Sequence, residues 1–313
     1  MVQVSLCHYG QNMFYKVKSD AAVFYRHNVK GFAIIAMAID DLTITVINDD
    51  IIREIKADLM KIFKMKDLGE LHWLLNLKIK WDRTSKSISF SQEAYIDKIL
   101  NRCNLQDSKM HITPIDPNIC LSKDQCFSTG EEKITMSKIP YREAIMWAAM
   151  ATQPDIAFAV SLLSQFLKNP GEIHWKVVKR VMRYLSGMKN YKLTLGKNCD
   201  SLLGYADVDW ASRDHRHSIS AYIFQIDGGS ISWSCQKQNI VTLSSTEAEF
   251  IALTHATKEA LWLEHFIKKL YNHLNLLYDS ILTISLPSQS HMTINNMLGP
   301  SISTYDFIFY VTL

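Results

Sequence analysis

Apolar and polar positions recur with two periods along this chain of 313 residues. An apolar run ending in Ile34-Ile35-Ala36-Met37-Ala38-Ile39 meets two acids, Asp40 and Asp41, and a second run continues to Val46. That pattern predicts a strand, a tight turn and a returning strand. Ile52, Ile55, Leu59, Ile62 and Phe63 then follow helical spacing, with Asp49-Asp50 placed to cap the helix. Leu75, Leu77, Ile79 and Trp81 alternate with polar residues, Asp82 to Lys86 turn the chain, and Ile88 and Phe90 resume the alternation, which predicts a β-hairpin. Ser91 stands as the N-cap of a short helix through Arg102 that buries Tyr95, Ile96, Ile99 and Leu100.

From Asp107 to Lys138 no period survives, and Pro114, Pro117 and Gly130 mark a linker or long loop. Pro170-Gly171 precedes a helix that turns Val177, Val178, Val181, Met182 and Leu185 inward and closes near Gly187. Leu202 to Asp209 reads as a strand. Tyr222, Phe224 and Ile226 give a second, closed by Asp227-Gly228-Gly229. Ile231 and Trp233 open a third, and Ile240 to Leu243 a fourth. Ser244-Ser245-Thr246-Glu247 is a capping box that opens a long helix to about Leu270. The expected class is α+β or α/β.

Composition narrows the field without naming a function. Hydrophobic residues make up 48% and charged ones 21%, enough for a sizeable core, and the net charge of +3 is too mild to argue for nucleic acid or membrane by itself. The six cysteines form no CxxC pair, which fits a reducing setting and argues against structural zinc. No apolar stretch reaches membrane-spanning length, and the first residues lack the pattern of a signal peptide. The expectation is an intracellular protein of cytoplasm or nucleus.

Three groups of residues carry candidate chemistry. Asp40 and Asp41 are adjacent like charges that favour a bound cation, although on the pair alone a solvated turn is the better reading. Lys176, Lys179, Arg180 and Arg183 share one helix face, either plain solvated surface or a contact to a duplex backbone. Asp207 at a strand end and Glu249 in the second turn of a helix are hard oxygen ligands of the kind that two-metal phosphodiester hydrolysis needs, or are ordinary surface charges. His215, Arg216 and His217, beside Asp214, could bind a transition metal, but alternate histidines in a loop are more often plain polar surface.

Longer stretches are familiar as a set. Leu203-Gly204-Tyr205-Ala206-Asp207-Val208-Asp209-Trp210-Ala211, Ser218 to Phe224, Gly229 to Ser234 and, most specifically, Leu243-Ser244-Ser245-Thr246-Glu247-Ala248-Glu249-Phe250-Ile251-Ala252-Leu253 resemble the ribonuclease H domain of copia-type LTR retrotransposon Pol polyproteins. Met65 to Leu71 and Ser91 to Ile96 resemble the end of that family's reverse transcriptase. Thr152 to Val160 and Asn169 to Trp175 resemble its connecting region. The similarity runs in one order from about Ser19 to Leu270. It implies Asp40 and Asp41 as the polymerase acid pair, Asp207 and Glu249 as the first two ribonuclease H carboxylates, Mg2+ as the metal, and RNA–DNA hybrid or other nucleic acid as partner. A nucleic-acid backbone contact by His215 and Arg216 is likewise only what this resemblance implies.

The implied architecture is a partial reverse transcriptase palm and thumb followed by a ribonuclease H-like mixed sheet with helices. Its divisions are 1–106, a linker and helical connection over 107–196, and a ribonuclease H-like domain over 197–313 that degenerates after about 272. Departures from the family pattern imply impairment. The family carries a further polymerase Asp on an earlier strand, so a longer Pol chain is an expected partner. Pro287 occupies the place of the third ribonuclease H Asp, and the fourth-carboxylate segment is unrecognisable beyond Asn296. A proline supplies no ligand. Ala38-Ile39 replaces Tyr-Val, Gln153 replaces Arg, and Asn76 and Ala221 replace Gly; around Ala144 to Trp147 about three residues are absent, which shifts helical phase. The expected function is therefore a truncated, catalytically impaired reverse transcriptase and ribonuclease H segment. The alternative is a non-catalytic nucleic-acid-binding remnant or a decayed pseudogene product.

Overall fold

The computed structural model describes residues 14–29, 31–39, 41–137, 139, 141, 152–196, 202–210, 216–274, 283–286 and 310–311. The chain divides into two compact units, Met1–Leu75 with Glu259–Ser280, and Asn76–Lys258 with Ile281–Leu313. Among the described residues no helix is long and apolar enough to cross a membrane.

In the first unit, β1 (Tyr15–Lys16), β2 (Val23–Asn28), β3 (Gly31–Ala38) and β4 (Asp41–Val46) pair antiparallel in chain order. Alternation along a strand sends successive side chains to opposite faces, and here both faces are apolar. Phe24, Ala33 and Ile35 pack against Ile51, Ile55 and Leu59 of α1 (Asp49–Ile62). Val23, Tyr25 and Phe32 pack on the other face against Phe266 and Leu270. The cap of α1 differs from expectation. Asn48 is the N-cap and accepts the Asp50 N–H at 2.9 Å, while Asp49 and Asp50 lie in the first turn. An amide can cap as well as a carboxylate, and the two acids then face the positive end of the helix dipole. A two-residue strand, β5 (Trp73–Leu74), ends the first stretch of this unit.

The second unit opens with the expected hairpin of β6 (Leu77–Asp82) and β7 (Ser87–Ser91). Leu75 and Asn76 precede it with φ of 49° and 65°. That region suits glycine and is tolerated by asparagine, so the Asn76 departure falls where the backbone does need a left-handed residue. α2 (Glu93–Arg102) follows, with Gln92 at the cap position and Ser91 Oγ accepting the Glu93 N–H at 3.3 Å. The stretch read as a linker is ordered and packed. It holds a 3-10 turn at Lys123–Gln125 and α3 (Gly130–Ser137). Ile115, Ile119, Leu121 and Phe127 press on a core built from α2, α4 (Ala157–Ser164) and α5 (Glu172–Met188). Apolar residues at irregular spacing give no period, yet each still anchors its loop. β8 (Leu193–Leu195) then pairs with β7.

The second unit ends in a mixed sheet. β9 (Leu203–Asp209), β10 (Ile219–Ile226) and β11 (Gly229–Lys237) form an antiparallel meander. α6 (Ser245–Leu274) leads to β12 (Thr283–Leu286), which lies parallel to both β9 and β13 (Tyr310–Val311). The order β11-β10-β9-β12-β13 makes β9 central, and a parallel neighbour requires a crossover such as a helix. Half of the capping box forms: Glu247 N–H donates to Ser244 Oγ at 3.1 Å, while Glu247 Oε2 accepts the N–H of Leu243, one residue before the cap, at 2.7 Å. The expected strand over Ile240 to Leu243 does not form. That segment is an irregular approach to α6, with Ile240, Val241 and Leu243 exposed and Thr242 buried against Ser218.

Candidate functional site

The acid pair stands at the end of a two-residue connection. β3 and β4 pair up to Ala38 and Asp41, which leaves only Ile39 and Asp40 between them. So short a hairpin connection favours positive φ, and Ile39 has φ of 56° while 95% exposed. A β-branched residue there is strained. Asp41 is exposed, and its register with Ala38 places it on the sheet face that also carries Phe32 and Ile34. Asp40 lies outside the described residues.

Asp207 is exposed near the end of β9, where its Oδ1 accepts the Val208 N–H at 2.8 Å. Glu249 is half-buried in the second turn of α6. One side chain ties β10, the strand paired with β9, to α6. Gln238 Nε2 donates to Ser220 Oγ at 2.8 Å and to the Ala248 carbonyl at 2.9 Å. Ser220 is the register partner of Val208, and Ala221 that of Asp207. The pleat therefore puts Asp207 on the face of Tyr205 and Ala221, opposite the face where Gln238 anchors α6. By itself the pleat does not bring the Asp207 carboxylate to the α6 side of the sheet. Asp209 shares the face of Asp207. Its charge adds to the effect of burial on Cys235, whose thiol is pushed up to about 11 despite an opposing hydrogen bond from Ser161.

Both carboxylates are hard oxygen donors, and Mg2+ commonly takes only one or two carboxylates from a protein, so the pair fits that ion in chemistry. Among the described residues no group of three or more His, Cys, Asp or Glu side chains gathers to hold a metal. Asp214 and Pro287 lie outside the described residues, as do the junction Ala144 to Trp147 and the segment beyond Asn296 apart from 310–311.

The basic face of α5 is only partly open. Lys176 pairs with Glu172 at 2.9 Å, both exposed, and this partner holds the Glu172 carboxyl below the usual range. Lys179 is half-buried. Arg180 is engaged by the 107–138 stretch: Nη2 donates to Thr113 Oγ1 at 2.9 Å and Nη1 lies 3.8 Å from Asp116. Arg183 has a buried Nε, and its carbonyl accepts the His111 N–H. Arg216 is exposed with φ of 55°, and His215 lies outside the described residues. Sequence reasoning passed over Gln238, because a lone polar residue after a strand carries no periodic or motif signal. It also gave no role to His174, which is fully buried with Nδ1 accepting the Gly171 N–H at 2.9 Å.

The model of the reverse transcriptase (RNA-dependent DNA polymerase) family matches residues 4–117. The chain is 42% identical over 265 residues to a Nicotiana tabacum protein named Retrovirus-related Pol polyprotein from transposon TNT 1-94, a match covering 83% of this chain and 20% of that protein. It is 34% identical over 249 residues to the Retrovirus-related Pol polyprotein from transposon RE1 of Arabidopsis thaliana, covering 78% of this chain and 16% of that protein. A Plasmopara viticola protein named Secreted RxLR effector protein 161 is 45% identical over 133 residues, 41% of this chain and 94% of that protein. The chain thus spans a fifth or less of the length of the two Pol polyproteins. A match over 83% of the chain has to include β9 and the start of α6 as well as most of the reverse transcriptase stretch. On these matches the chain belongs to the family of retrovirus-related Pol polyproteins of copia-type retrotransposons, with its first third in their reverse transcriptase.

Proposed function

We propose that the chain joins the C-terminal part of a reverse transcriptase to a ribonuclease H-type domain, and that it binds RNA–DNA hybrid and cleaves the RNA strand slowly. The proposed divisions are the palm hairpin and thumb-like part over 1–106, the linker and helical connection over 107–196, and the ribonuclease H-like domain over 197–313. One observation carries the reading: a central strand bearing Asp207 has an antiparallel meander on one side and a parallel strand on the other, with the Glu249 helix as the crossover. A mixed sheet with helices is what the resemblance implies, and the donor set suits the Mg2+ that the reverse transcriptase family generally uses.

Asp207 and Glu249 would hold that ion, with water and substrate phosphate completing its shell. When bound, the ion activates water and stabilises the leaving oxygen of a phosphodiester. Arg216 and Lys179 would meet phosphates, Lys176 would do so on leaving Glu172 and Arg180 on leaving Thr113 and Asp116, while the Arg183 Nε is buried. A third protein carboxylate is expected at position 287, where the chain has proline, so slow turnover follows. DNA synthesis from Asp40 and Asp41 would need the further Asp of a longer Pol chain. Such a reaction belongs in the cytoplasm or nucleus.

The test is incubation of the purified chain with a labelled RNA–DNA hybrid in Mg2+ or Mn2+. Slow RNA cleavage that Asp207→Asn and Glu249→Gln each remove is the expected result, with binding that weakens steeply as salt rises. Binding with no cleavage in either metal would reduce the chain to a nucleic-acid-binding remnant. Absence of binding at low salt overturns the whole reading.

A further inference from the structure

Gln238 follows β11 directly and is only 2% exposed. Every hydrogen-bonding group it has except one is used. Its N–H donates to the Ser218 carbonyl at 2.8 Å, and its own carbonyl meets His217 Nδ1 at 2.9 Å. The side-chain amide bridges Ser220 on β10 and the Ala248 carbonyl on α6. Only a donor can meet a carbonyl, so Ala248 fixes which way the amide points. That orientation leaves Oε1 buried with no hydrogen-bond partner. A position that merely had to be filled would be better served by Met or Leu, which leave no polar atom unpaired. The two donated bonds account for the amide.

We infer that Gln238 is a positioning residue, setting the first turns of α6, and with them Glu249, against the strand pair that carries Asp207. The inference rests on the ribonuclease H-type reading, since it gives Gln238 a part in that site. Groups that orient ligands typically shift metal affinity by about 10- to 100-fold when removed.

Mn2+ alone, titrated into the full chain and followed by water proton relaxation, reads the site without turnover. Wild type is expected to show uptake that Glu249→Gln removes. Gln238→Met keeps the volume and deletes both donors, and is expected to weaken that uptake about tenfold. Ser220→Ala, a milder change that frees the strand end of the tie, is expected to act in the same direction. Amide exchange should rise at Ala248 to Ala252 and stay unchanged in the β9–β10 pairs. If Gln238→Met takes up Mn2+ as wild type does, the positioning role is wrong. It is equally wrong if protection falls through the whole sheet, as loss of a merely structural residue would cause. Wild-type uptake indifferent to Glu249→Gln overturns instead the ribonuclease H-type reading of the pair.

Discussion

His174 shows how one buried ring can set acid sensitivity. Burial holds its imidazole below the ordinary histidine range, and a backbone contact at Ser122 pulls the other way. With Nδ1 accepting from Gly171, the ring is neutral in the folded chain. The unfolded chain therefore binds the proton more readily, and the contribution to stability is complete above about pH 6.5 and declines as pH falls through and below it. His174→Gln keeps an acceptor for Gly171 and removes the titration. Thermal midpoints of wild type and variant are expected to diverge between pH 7 and 5.5, with wild type losing more; parallel losses would show that other groups carry the acid response. Gly171 beside it tolerates no side chain, since a Cβ would lie 1.7 Å from the Gln125 carbonyl oxygen. The sequence showed this pair only as part of a family-like run. Close approach of two backbones is decided by residues far apart in the chain, and so were the partners of Gln238.

At the scale of elements, period was the readable signal. α1, α5, β6–β7 and β9–β10 each have a regular apolar stripe, and each forms near its expected bounds. Ile240 to Leu243 misled because a short apolar run looks the same whether or not an edge is there to pair with it. The stretch over 107–138 misled in the opposite sense. Its scattered apolar residues pack on the α2–α5 core, and Arg180 fastens it through Thr113. The acid-pair hairpin was legible in its strands but not in its turn, where an exposed Ile39 takes a left-handed conformation. Ile39→Asn is expected to stabilise the chain by about 1 kcal/mol, because asparagine tolerates that φ and no apolar burial is lost. Denaturant unfolding measures it, and a destabilised variant would mean that the turn is not strained.

The whole molecule depends on a segment that no local pattern assigns to its partner. Trp262 Nε1 donates to the Ser19 carbonyl at 2.8 Å, the Trp262 and Phe266 rings stack at 5.4 Å, and Lys269 lies over Tyr25. These contacts make the second half of α6 the cover for one face of the β1–β4 sheet. Phe266→Ala is expected to cost about 2 kcal/mol, less than a fully buried phenylalanine because the ring is half-exposed. Hydrogen exchange should place the loss in β1 to β3 and spare the β9–β11 meander. Equal loss in both would contradict the division of the chain at Lys258.

That shared helix also orders events during synthesis. Val23, Tyr25 and Phe32 leave the ribosome long before Phe266 and Leu270 exist, so the sheet can close against α1 at once but has no cover for its second face. Contacts of such sequence separation form late, and domains otherwise tend to fold from the N-terminus onward as they emerge. The sheet of β1 to β4 thus waits for residues beyond Glu259 before its second face is covered, and a nascent chain stopped before Phe266 carries an open aromatic face for chaperones to hold.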